Sequence, residues 1–199
     1  MRGSFYPLTY GTIVGLLLLL LAGCASTETP RHYLLSALPG EAAAQPPCFS
    51  LGIGPVKLPE YLNRPQIVTR ASTNELTLGQ FDRWAEPLDH TFLRVLAENV
   101  TKLLCTTSVS LFPWKASTQI DYRVEAEVMR MDGVLGGEAI LEVWWAISNG
   151  RDNKVLISKQ SKFREPVAAN DYGSMVQAQS RLSASFSREV AEAIGKLTK

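Results

Sequence analysis

Three runs of alternating apolar and polar residues, set close together in the second half of the chain, limit the fold more than any other feature of the sequence. In the first, Ile120, Tyr122, Val124, Ala126 and Val128 alternate with Asp121, Arg123, Glu125 and Glu127. In the second, Ala139, Leu141, Val143, Trp145 and Ile147 share one side, and Glu142 and Trp144 the other. The third runs from Val155 to Phe163, with Val155, Ile157 and Phe163 on one face. Successive strand residues point to opposite faces, so each run describes a strand that is buried on one side only. The links between them, the loop Asp132-Gly133-Val134-Leu135-Gly136-Gly137 and the turn Asn149-Gly150, are short enough for antiparallel neighbours. The three strands form a meander with one apolar face, and that face needs a cover.

Two helices supply it. Pro87 opens the first, since a helix's first turn does not need the N–H that proline lacks. Leu88, Phe92, Val95, Leu96, Val100, Leu103 and Leu104 then form one stripe. The second begins near Tyr172 and repeats Met175, Gln179, Leu182, Phe186, Val190, Ile194 and Leu197, ending basic at Lys196 and Lys199. Upstream, Phe49–Val56 reads as a strand ending at or just after Pro55. Gln66–Arg70 and Glu75–Leu78 form a hairpin around Thr73-Asn74, and Val109–Phe112 is a further short strand. The expected class is α+β: a two-layer domain, mainly antiparallel sheet, with two amphipathic helices on one face.

The N-terminus is of another kind. After Arg2 comes the apolar run Ile13–Leu21, shorter than the roughly 20 residues that span a bilayer and of the length of a secretory signal core. Leu21-Ala22-Gly23-Cys24 follows directly and resembles the bacterial lipobox. Its thiol is the nucleophile that takes a diacylglyceryl group, and the small residues before it admit a peptidase. Residues 1–23 are therefore read as a lipoprotein signal peptide. Residues 24–47 are a lipid-anchored tether and linker with a short strand at 33–35, and residues 48–199 a single periplasmic domain. Buried acyl methylenes are worth roughly 0.8 kcal/mol each, so two or three chains on Cys24 make a lasting anchor. Position 25 is Ala rather than the Asp that resembles an inner-membrane retention signal, so the expected location is the outer membrane, facing the periplasm.

Removing Arg2 with the signal leaves 19 basic and 19 acidic residues, a balance that argues against nucleic acid as a partner. With Cys24 lipidated, Cys48 and Cys105 remain, a candidate disulfide in an oxidising compartment. No catalytic set, bound cofactor or metal site is expected; the covalent lipid on Cys24 is the one non-protein group. The two histidines, His32 and His90, lie in the tether and near the start of the first helix, and neither has metal-ligand spacing. Asp82-Arg83-Trp84-Ala85-Glu86 reads as a packed sheet–helix junction rather than a ligand site. Val134 and Leu135 at a loop tip, and Trp144 on the outer side of its strand, are candidate contacts to a partner or to another copy.

The segments Gly52–Arg70 and Phe81–Leu88, then Leu96-Ala97-Glu98-Asn99, Pro113-Trp114 and the closing amphipathic helix, resemble in order the PqiC (YmbA-type) family of ABC-transport auxiliary lipoproteins. The resemblance implies a non-enzymatic outer-membrane component that supports membrane integrity and accompanies MCE-type proteins, which are linked to lipid movement between membranes. It further implies docking of the periplasm-spanning partner and a ring-shaped homo-oligomer. A different class remains open: a periplasmic carrier holding an acyl chain between sheet and helices.

Overall fold

The computed structural model describes residues 28–40, 48–115 and 117–198. Its core layer is a five-stranded sheet in the order β5-β2-β6-β7-β8, formed by β2 (Phe49–Lys57), β5 (Thr106–Leu111), β6 (Tyr122–Gly133), β7 (Glu138–Asn149) and β8 (Val155–Pro166). β6, β7 and β8 form the expected antiparallel meander. A second sheet, β1-β4-β3, joins β1 (Arg31–Tyr33), β3 (Gln66–Arg70) and β4 (Leu76–Trp84). The fold is α+β, with two α-helices among the described residues, α1 (Leu88–Leu103) and α2 (Tyr172–Leu197). Strand pairing is divided more evenly than the alternation suggests, because β2 runs parallel to both β5 and β6, and β1 parallel to β4.

The helices cover the inner sheet face. Phe92 and Leu96 of α1, and Met175, Leu182, Phe186 and Ile194 of α2, are almost fully buried against Leu51, Ile53, Leu141 and Ile147. Phe186 lies at the centre, its ring 6.0 Å from those of Phe92 and Trp145 and 6.3 Å from that of Phe163. Asp171 caps α2, accepting a hydrogen bond from the Ser174 N–H at 2.7 Å. Those bonds hold the Asp171 carboxyl below its ordinary range.

Four expectations are corrected. Pro87 stands just before α1 as its cap rather than inside it. Ile120 precedes β6 and packs over Gly52 with Trp114, closing the outer side of β2. Val155 is exposed at the start of β8 instead of sharing the inner face. The stretch after Tyr33 is not a strand or a free linker: β1 is Arg31–Tyr33, beside β4, and the chain beyond it crosses the helices. There Leu35 is buried, the Leu38 N–H donates to Asn99 Oδ1 at 2.7 Å, and Lys102 Nζ donates to the Leu38 carbonyl at 2.6 Å. Asn99 is itself buried and donates to Ser187 Oγ at 3.1 Å, tying α1 to α2. Residues assigned to the linker are thus part of the domain.

Candidate functional site

Cys24, the expected lipidation residue, lies outside the described residues, as does the stretch 41–47. Cys48 and Cys105 are joined as a disulfide, with Cα atoms 4.7 Å apart, a separation that accommodates the bond. It links the starts of β2 and β5 at the end of the sheet remote from the β6–β7 loop.

The histidines offer no relay. His90 Nε2 stands 3.9 Å from Asp89 on the solvent side of α1, and its side chain is 70% exposed. His32 is in β1, paired in register with Arg83. Among the described residues no cluster of three or more His, Cys, Asp or Glu can hold a metal ion. Trp84 is buried at the sheet–helix junction, and its backbone N–H donates to the Pro65 carbonyl at 2.7 Å. Glu86 pairs with Arg94 at 2.6 Å, and hydrogen bonds from Arg94 and Thr91 hold its carboxyl below its ordinary range.

The buried charges are clamps. Asp132, expected in a loop, is the penultimate residue of β6 and fully buried. A bulge at Met129 puts it there. The extra residue turns Met131 inward and Asp132 outward, beneath β3 and the 3-10 turn Glu60–Leu62. Both its oxygens are filled: Oδ1 accepts from Arg70 Nε at 3.0 Å and Arg130 Nε at 2.8 Å, and Oδ2 from Arg70 Nη2 at 2.8 Å and Tyr61 Oη at 2.9 Å. Burial alone would push the Asp132 carboxyl up, but the hydrogen bonds from Arg70, Arg130 and Tyr61 outweigh it and hold it below its ordinary range. Burial, then the Asp132 charge, pushes the Tyr61 phenol far up. Asp82 is the second clamp. It is buried in β4 and accepts from Arg31 Nε at 2.9 Å, Arg31 Nη2 at 3.0 Å and Tyr33 Oη at 2.8 Å. It fastens the entering chain to the domain. Apart from Arg130, two residues before Asp132, the partners in these clusters stand 49 to 71 residues apart, so neither cluster shows in the local sequence.

Of the residues expected to make contacts, two are exposed. Trp144 is 47% exposed on the outer sheet face, directly across from Glu127 and Gln160. It borders a shallow cleft shared with Pro55, Lys57, Glu125 and Ser158. Val134 is exposed at the β6–β7 tip, while Leu135 is half-buried against the core. Gly136 holds that tip with φ +69°, in the left-handed region that suits glycine. The structure therefore separates Trp144, near the middle of β7, from Val134 and Leu135 at its end. What these groups offer is apolar contact surface.

The sequence profile of the ABC-type transport auxiliary lipoprotein component matches residues 33–191. No curated protein matches the chain significantly. Among solved structures, an uncharacterized protein superposes with TM-score 0.68 at 19% identity, covering 84% of this chain and 99% of its own. A Xanthomonas campestris protein of family DUF330 gives TM-score 0.65 at 16% identity, covering 81% and 92%. At these identities the structures establish the shared fold.

Proposed function

Since this chain belongs to the family of ABC-type transport auxiliary lipoproteins, we propose that it is the outer-membrane-anchored periplasmic subunit of an MCE-type, ABC-linked lipid-transport system. In this reading Cys24 carries the lipid, and the domain docks the partner that spans the periplasm and so supports membrane integrity. Copies of the domain assemble as a ring. The observation that carries the reading is how the entering chain is bound. Asp82 clamps Arg31 and Tyr33, Asn99 and Lys102 hold Leu38, and so only Ala25–Pro30 separate the anchor from the fold. A short, clamped tether suits a part that must hold position against a membrane. Trp144, exposed beside Glu125 and Glu127, is the proposed partner contact.

The carrier reading needs an apolar cavity between sheet and helices. That space is occupied by Phe92, Trp145 and Phe186. A photo-crosslinker placed at position 144 in intact cells tests the docking reading. The expected adduct is an MCE-type protein; a membrane-located chain that yields no such adduct overturns it.

A further inference from the structure

The described chain enters the domain at one end, and that end carries exposed apolar side chains that no core contact explains. β1 runs parallel to β4, with Arg31 beside Asp82, so the chain upstream of Arg31 leaves toward the start of β4. Leu76 and Leu78 stand there, 36% and 42% exposed, two apart on one strand face beside the Ser72–Glu75 turn. The β6–β7 tip belongs to the same end. Arg70, paired with Leu76, reaches Asp132, and Val134 follows two residues later, 47% exposed. The tip is held in place by the Gly136 N–H, which donates to the Ala169 carbonyl at 3.1 Å. The disulfide and the Gly150 turn mark the opposite end.

Chain length then decides what faces this end. From Cys24 to Arg31 the chain reaches about 23 Å when extended at about 3.3 Å per residue. β4 bulges between Leu78 and Arg83, where β3 advances only from Val68 to Gln66, so the level of Leu76, opposite Arg70, lies about 13 Å from that of Arg83, opposite Gln66. An anchor at Cys24 thus reaches past the level of Leu76 by no more than about 10 Å, which keeps this end of the domain at the membrane. We propose that Leu76, Leu78 and Val134 form a bilayer-contacting surface, resting at the headgroup boundary of the membrane that holds the lipid anchor. This rests on the anchoring of Cys24 proposed above. It gives the domain a fixed stance, with the two hairpin tips down, the disulfide end toward the periplasm and Trp144 at the side. Val134 is thereby assigned to lipid rather than to the protein partner.

Hydrogen exchange on vesicles of phosphatidylethanolamine and phosphatidylglycerol tests this. In one arm the full lipidated chain is reconstituted; in the other the chain from Cys24 onward is coupled through that thiol to a maleimide lipid. Exchange is expected to slow, relative to the free chain, in peptides covering 73–78 and 133–137, and to stay unchanged in those covering 150–155. The double variant Leu78→Asp with Val134→Asp should lose that protection while keeping its circular dichroism. Protection in the coupled arm alone would sink the native anchor and leave the surface standing. Incorporation in both arms without protection overturns the surface. So does equal protection in the vesicle-free chain as its concentration rises, which would assign these residues to contacts between copies.

Discussion

Asp132→Asn is the substitution most informative about how the domain is held together. The carboxylate is fully buried and accepts four hydrogen bonds, from Arg70, Arg130 and Tyr61. An amide in its place turns an NH2 group toward donors and leaves two guanidiniums without a counter-charge. Breaking a buried pair costs about 3–5 kcal/mol. Arg70 and Arg130 keep 20% and 25% of their side chains in water, which places the expected loss near the lower figure, about 3 kcal/mol, or roughly 150-fold in the unfolding constant. Urea unfolding of the domain at pH 7 measures it, with an unchanged slope expected because the surface exposed on unfolding is the same. The pH dependence has a definite sign. The folded carboxyl lies below its ordinary range, so its contribution is complete above the unfolded pKa of about 3.9 and fades as pH falls through the lower, folded value. The gap between wild type and variant should therefore narrow in acid. A loss under about 1 kcal/mol at pH 7, or a gap that widens as pH falls, refutes the clamp.

Phe186→Ala should cost about 3–5 kcal/mol, because the ring meets Phe92, Trp145 and Phe163 at the centre of the sheet–helix interface; thermal unfolding followed by near-ultraviolet circular dichroism reads it. Replacing Cys48 and Cys105 by Ser should lower stability by about 4 kcal/mol in the chain-entropy model for their loop, and non-reducing mass spectrometry of the native protein should find the bridged peptide and no alkylatable thiol at either position. Trp144→Thr should cost no more than about 1 kcal/mol in urea unfolding while lowering capture of the MCE-type partner, since the side chain is half in water already and threonine suits a strand.

The parts of this fold that were legible in the sequence are those written in local period. Alternation located β7, and the stripe from Met175 to Leu197 located α2, because each residue's face follows from its immediate neighbours. The bulge at Met129 defeated the same reasoning: it shifts the period by one, so Asp132 reads as loop when it is buried strand. β1 is three residues long and paired with a strand some fifty residues on, too short to show any period. Parallel pairing of β2 with β5 and β6 leaves no mark in β2's alternation, since both sides of that strand are covered. Trp144 was legible as an outward residue from parity alone. Leu76 and Leu78 were not, because their significance depends on where the tether leaves, and that is set by Asp82, Arg31 and Tyr33 together.

The central claim, a lipid-held subunit at the outer membrane, is tested most directly by separating inner and outer membranes from cells fed radioactive palmitate. The wild-type chain should carry label and band with the outer membrane, and Cys24→Ala should be unlabelled and leave the membrane fractions. Label that persists without Cys24, or a wild-type chain that bands with the inner membrane, would contradict the account.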